Sequence, residues 1–300
     1  MKKIFTKELK LQISSLAIKN RTGEIIKILE NYLIDAKNIQ VNTNEYNMVK
    51  FINWLKHGGK LPYKVFIVGN SKLPFLSFSV LPGVTCPGAG DCLINPISGK
   101  RGYCYSFKSW RYPSAFFRQV QNTILMNNFP LIEEALKETL YTKKGNLRAN
   151  FKKLIYEHNN KLHLAKIDFR LYVDGDFSSI KDLKNWMKLL EKNSLINAYG
   201  YSKSLNLFLQ LHDAGYKFPS NYVLNLSNGG KFDSLRPILK DLYFVRGNFT
   251  AVKGSKKDIR KQFTNKIFIC PGKCGTCTNV GHACGNLDKF NNIEIVIPVH

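Results

Sequence analysis

The feature that most constrains the fold is an alternation of short apolar runs with amphipathic stretches between residues 167 and 245. Ile167-Asp168-Phe169-Arg170-Leu171-Tyr172-Val173 reads as a strand. Asp174-Gly175-Asp176-Phe177 turns it into a helix with Ile180, Leu183, Trp186, Met187 and Leu190 on one stripe. Ser179 and Asp182 open that helix at capping-box spacing. Ala198-Tyr199-Gly200-Tyr201 follows, then a helix through Leu207, Phe208 and Leu211 that ends at Gly215. Tyr222-Val223-Leu224-Asn225-Leu226 and Tyr243-Phe244-Val245 repeat the unit. Strands separated by helices need crossover connections, and right-handed crossovers build a parallel sheet. The pattern predicts an α/β fold, a full or partial (β/α) barrel, with an open doubly wound sheet as the competing arrangement.

Three regions are expected around this rhythm. Residues 1–60 form a helical N-terminal extension, with Ile25, Ile28, Leu29, Tyr32 and Ala36 at helical spacing and a second helix through Met48, Phe51, Ile52 and Leu55 that Gly58-Gly59 stops. Residues 61–253 form the barrel-like core, starting with the β-type runs Val65–Val68 and Phe75–Val80 and followed by helical stretches from Ser114 to Leu136 and on through Ile155. Residues 254–300 carry cysteines and a final strand, Ile293–Ile297.

All seven cysteines fall in two groups, each cysteine with a glycine or proline close by, which is how metal ligands are distributed. Cys270, Cys274, Cys277 and Cys284 are spaced Cys-x3-Cys-x2-Cys-x6-Cys, compact enough to wrap one 4Fe–4S cluster or one zinc ion. Cys86, Cys92 and Cys104 are spaced Cys-x5-Cys-x11-Cys. Three thiolates on a 4Fe–4S cluster leave one iron open to a substrate or cofactor. Asp91 or a cysteine of the other group could supply a fourth ligand, so one centre and two centres both fit, and His282 reads as a bystander or a donor behind the ligands.

With 45 Lys+Arg against 21 Asp+Glu the formal charge is +24, which favours phosphate-rich partners, nucleic acid first. An AT-rich genome that writes Lys and Asn freely accounts for the charge equally well. Phe107-Lys108-Ser109-Trp110-Arg111-Tyr112 could stack bases, or could be the hydrophobic shell of a metal loop. No apolar run of about 18 residues is present, so no membrane span is expected. The basic start Met1-Lys2-Lys3 leads into no apolar region, and a reducing cytoplasmic compartment, that of a host cell for a phage-encoded chain, is expected. A Gly-x-x-x-x-Gly-Lys-Ser/Thr phosphate loop is missing from the sequence, which argues against a nucleotide-driven motor.

Thr85-Cys86-Pro87-Gly88-Ala89-Gly90, Gly102-Tyr103-Cys104-Tyr105-Ser106-Phe107, Tyr172-Val173-Asp174-Gly175-Asp176-Phe177, Gly200-Tyr201-Ser202-Lys203-Ser204, Asn225-Leu226-Ser227 and the last cysteine group together resemble the phage and plasmid proteins that carry the gene product 88 domain. The resemblance runs from about residue 75 to 287. More distantly, a three-cysteine loop after the first strand followed by glycine and acidic residues at a later strand end is similar to radical-SAM-type iron–sulfur barrels. That similarity implies that Cys86, Cys92 and Cys104 hold a cluster with Tyr105 over it. It also implies that Gly175 and Asp176 contact S-adenosylmethionine and that Ser202, Lys203, Asn225 and Ser227 line the same mouth, with Asp176 and Lys203 as candidate catalytic groups.

Two functions are therefore expected. One is an iron–sulfur protein of phage or plasmid type, a redox or radical-SAM-like enzyme acting on a nucleic-acid-linked or anionic substrate, supplied by an electron donor protein. The other is a nucleic-acid-binding protein with a structural zinc or iron–sulfur centre.

Overall fold

The computed structural model describes residues 5–34, 36, 39–69, 73–93, 102, 104–152, 166–275, 277 and 282–299. Eight strands form one sheet: β1 (Ile67–Val68), β2 (Leu76–Ser77), β3 (Ile167–Leu171), β4 (Ile196–Ser202), β5 (Tyr222–Ser227), β6 (Val245–Lys253), β7 (Ile267–Ile269) and β8 (Glu294–Val299). Their order is β1-β2-β3-β4-β5-β6-β8-β7. Only the β1–β2 pair is antiparallel. From β2 to β6, neighbours in the sheet are neighbours in the chain, whereas a doubly wound sheet reverses its order partway. The sheet nevertheless stays open, which corrects the expectation of a full barrel and leaves a closed radical-SAM-like barrel without support. The physical reason lies at the edges: β1 is two residues long and antiparallel, and β7 pairs only with β8, so neither edge offers the other a ladder.

Alternation along the strands gives the sheet two faces. Ile167, Phe169, Leu171, Ile196, Ala198, Tyr222, Leu224 and Leu226 form the main core with α5 (Phe129–Leu140), α6 (Ile180–Glu191) and α7 (Leu205–Asp213). Trp186 of α6 is fully buried there, in edge contact with Phe66, Phe78 and Phe129. On the other face Tyr199 and Val223 pack with Leu73 and Phe75, and Cys274, Cys284 and Leu287 lie against them. A barrel fills its interior with side chains from its own strands; here the C-terminal cysteine segment covers that face.

The N-terminal helices α1 (Lys7–Ile18), α2 (Thr22–Leu33) and α3 (Asn44–His57) share a second core with α4 (Pro113–Leu125), built from Ile13, Ile25, Leu29, Phe51, Phe116, Phe117 and Val120. Thr6 and Thr43 cap α1 and α3 through their side-chain oxygens, and Gly58 at φ 68 ends α3. Three short helices complete the ten among the described residues: α8 (Arg236–Leu239), α9 (Lys256–Gln262) and α10 (Leu287–Phe290).

Some expectations change in detail. Ser179 accepts from the Asp182 N–H, but the Asp182 carboxylate accepts from the Ser178 N–H and the Tyr172 hydroxyl, so only half of the capping box forms. Burial pushes the Asp182 carboxyl up to about 7, and Tyr172 sits at φ 56 to reach it. β7 is a strand that the sequence reading had not marked. The helix expected through Ile155 passes outside the described residues after Lys152.

Candidate functional site

β2 delivers the chain into the first cysteine loop at the end of the sheet where β3, β4 and β5 also finish. The loop is held by backbone contacts. Lys231 N–H donates to the Gly88 carbonyl (2.9 Å), and Asp91 N–H donates to the Gly229 carbonyl (3.1 Å). A Cβ on Gly88 would stand 2.0 Å from the Lys203 carbonyl oxygen, so only glycine lets these loops approach. Cys104 N–H donates to the Cys92 carbonyl (2.9 Å), which brings the third cysteine back to the second. Burial, reinforced by Asp176, pushes the Cys86 thiol up; burial also raises Cys92, with Lys203 opposing.

Asp176 organises the mouth of this loop. Its carboxylate accepts from Phe177 N–H (2.8 Å), Ser202 Oγ (2.7 Å), Lys203 N–H (2.8 Å), Ser204 N–H (3.2 Å) and Ser204 Oγ (3.2 Å). Burial raises its pKa and these donors pull the other way. Five donors occupy its lone pairs, so Asp176 and Ser202 join the β3 loop to the β4 loop. Gly175, at φ 85, has no room for a Cβ, which would lie 2.3 Å from Val80 and 2.7 Å from Thr85 Oγ1. Lys203 extends from the same junction, and its ammonium donates to Ser227 Oγ (2.9 Å) and to the Asn228 carbonyl.

The second group is held by side chains of the covered sheet face. Asn225 donates to the Cys284 carbonyl (2.9 Å) and the Gly200 carbonyl (3.1 Å), so it belongs with this group rather than with the mouth around Lys203. His282 is buried between Phe75 and Tyr199; its Nδ1 accepts from Gly285 N–H (3.1 Å) and its Nε2 meets Asp168 Oδ1 at 3.2 Å. Backbone N–H groups point at two sulfurs, Gly272 to Cys270 (3.4 Å) and Ala283 to Cys277 (3.5 Å). Burial raises Cys270 and Cys277 and pushes Cys284 up to about 12, although Tyr201 and Arg246 pull Cys284 down.

Two arginines that the sequence reading did not single out stand beside these sulfurs. Arg246 is 0 % exposed and donates to Asn225 Oδ1 (2.5 Å) and to the carbonyls of Asn248 (2.6 Å), Phe290 (3.2 Å) and Ile293, all neutral oxygens. Its electrostatic neighbours are Cys284, Tyr201 and Glu294. Arg170 faces Cys270, Cys274 and Cys284, lies over the Tyr201 ring (4.9 Å), and has a buried Nε without a hydrogen-bond partner among the described residues. Its Nη2 donates to the Tyr105 hydroxyl (3.2 Å), which donates to the Val173 carbonyl (2.6 Å). Tyr105 follows Cys104, so Arg170 and Tyr105 link the two cysteine groups. Asp174 is a further residue of this region, accepting from Gln119 (2.9 Å), which also receives the Trp110 indole N–H (2.8 Å). Trp110 is thereby buried in the second core, and the base-stacking reading of that segment loses its largest ring; Tyr112 stays 54 % exposed.

Within each group the cysteines are electrostatic neighbours: Cys104 acts on Cys86 and Cys92, and Cys270 on Cys284 while Cys274 and Cys277 act on Cys270. Among the described residues no three His, Cys, Asp or Glu side chains are drawn together as a metal site. No helix among them is long and apolar enough to cross a membrane. Comparison with curated proteins found no match, and comparison with solved structures found none either. The family model described as gene product 88 matches residues 53–285, a span that holds both loops, Asp176, Lys203 and all seven cysteines, and the chain belongs to that family.

Proposed function

We propose that the chain is a metal–thiolate protein in which Cys270, Cys274, Cys277 and Cys284 hold one centre, an iron–sulfur cluster with zinc as the alternative. The observation that carries this is the fully buried Arg246, with the half-buried Arg170 beside the same sulfurs. Burying a guanidinium without enough counter-charge costs several kcal/mol; Arg246 donates only to neutral oxygens, and Glu294 is the one carboxylate among its electrostatic neighbours. A four-thiolate centre around Zn²⁺ or an oxidised 4Fe–4S core carries a net charge of about −2, which Arg246 and Arg170 balance. The N–H groups aimed at Cys270 and Cys277 and the glycines at positive φ, Gly272 and Gly275, suit thiolates that close on a metal as it binds. The compact spacing favours iron–sulfur.

The first group is the reactive side of this reading. Cys86, Cys92 and Cys104 lie beside Lys203, whose charge suits an anionic or nucleic-acid-linked substrate. A three-thiolate cluster there would supply an open iron, with S-adenosylmethionine as candidate ligand. Asp176 fixes the loops around it and Lys203 holds the anion. Anaerobically purified protein should be brown, with iron and acid-labile sulfide near four each per centre. Colourless protein carrying stoichiometric zinc sinks the iron–sulfur assignment; protein without bound metal sinks the metal reading.

A second reading, a nucleic-acid-binding protein with a structural centre, draws on the +24 charge. Its measurement is affinity for DNA against salt, which should fall steeply if charge drives binding.

A further inference from the structure

The net charge is unevenly placed. Residues 253–273 hold seven cations, Lys253, Lys256, Lys257, Arg260, Lys261, Lys266 and Lys273, against the single acid Asp258, so net +6 of the chain's +24 falls on 21 of 300 residues. An even spread of charge would put about a third of that here; residues 143–166 are as basic by count, with net +6 on 24 residues, so it is the exposure and free state of the cations at 253–273 that single this stretch out. All seven cations are exposed. No ion pair among the described residues engages any of them. Asp258 is committed elsewhere: its carboxylate accepts from Ser255 N–H and Ser255 Oγ in a capping box that starts α9.

We infer that this surface, the end of β6, helix α9 and the approach to β7 and Cys270, is where the protein docks on the phosphate backbone of nucleic acid. The chemistry separates that partner from others. Ile259 is the one buried residue of α9 and faces inward, so the helix has no apolar face to insert into a lipid surface. No large apolar or aromatic side chain is exposed in this stretch, so it offers no stacking platform for splayed bases. What remains is a cluster of free cations, suited to sequence-independent phosphate contacts and counterion release. The surface runs directly into the second cysteine group, so a docked strand lies beside the proposed metal centre. The inference rests on the nucleic-acid part of the reading above and is independent of which metal is bound.

The test uses the full chain, with Lys256, Lys257, Arg260 and Lys261 changed together to Gln, and a control of equal charge change on α6 and its C-cap at the exposed Lys181, Lys184, Lys188 and Lys192, where Asp182 and Glu191 dilute the charge. Circular dichroism confirms that both fold. Binding to a random-sequence DNA duplex is measured across salt concentrations. The α9 variant is expected to lose affinity more than tenfold, and its log–log salt slope to shrink by about 3 to 4, while the control keeps most of both. Equal losses in the two variants overturn the α9 surface but leave nucleic-acid binding standing. Wild-type protein that ignores the duplex, or that prefers anionic vesicles to it, overturns the inference together with the nucleic-acid reading.

Discussion

The two cysteine groups belong to one family domain and meet through Arg170, yet the fold holds them by different means. Around Cys86, Cys92 and Cys104 the contacts are backbone to backbone or backbone to Asp176, and glycines at 88 and 175 permit approaches that a side chain would block. Around Cys270, Cys274, Cys277 and Cys284 the contacts come from side chains of the sheet, Asn225, Arg246, Tyr201 and His282. A loop tied by its backbone keeps its shape whatever its sulfurs carry. A segment tied by buried cations depends on the charge its sulfurs acquire, so the first group should outlast metal removal and the second should not.

Metal content should show the largest effect. Cys277→Ser is expected to abolish metal in the second group while Cys92→Ser leaves it, read as metal per chain by elemental analysis; equal losses from both would mean one shared centre. Stability comes next. Asp176→Ala strands five donors and should cost about 3 kcal/mol or more in urea unfolding, whether or not metal is present. Asn225→Ala should cost about 2 kcal/mol, and only in metal-loaded protein, where the second segment is ordered; an equal cost after chelation would erase the proposed difference. Gly88→Ala should cost about 2 kcal/mol by forcing the Lys203 loop away, whereas Gly275→Ala meets only Pro74 at 3.2 Å and should cost about 1 kcal/mol, mainly through its φ of 99°. The smallest effect is expected from Tyr201→Phe, below about 1 kcal/mol in stability but visible as weaker metal retention during dialysis against a chelator.

Strands β3, β4 and β5 were legible because each alternates or runs apolar for five or more residues, and β3 and β4 are each followed by a striped helix. β7 was not, since three half-buried residues after Asn265-Lys266 give no period to count. Openness of the sheet could not be read either, because it depends on β8 inserting between β6 and β7, a pairing of residues far apart in the chain. At the site the cysteine spacings were visible and their surroundings were not. Asn225 and Ser227 share a strand face two residues apart, which suggested one shared role, yet Asn225 reaches Cys284 and Ser227 meets Lys203. Arg170 and Arg246 looked like ordinary strand cations; only the segment laid over them, which begins at Cys270, encloses them. Asp176 was expected to contact a cofactor; five donors give it a positioning task that no local pattern discloses.

The placement of β8 also sets an order of assembly. β7 precedes β8 in the chain but has no other partner, and Cys270 N–H donates to the Val296 carbonyl (2.8 Å). While the polypeptide is being made, Cys270 therefore has no ladder to stand on until residues 294–299 have emerged and slotted between β6 and β7. Metal loading of the second group, as proposed, would wait for that pairing, and a ribosome stalled before Glu294 would leave Cys270 without its partner strand.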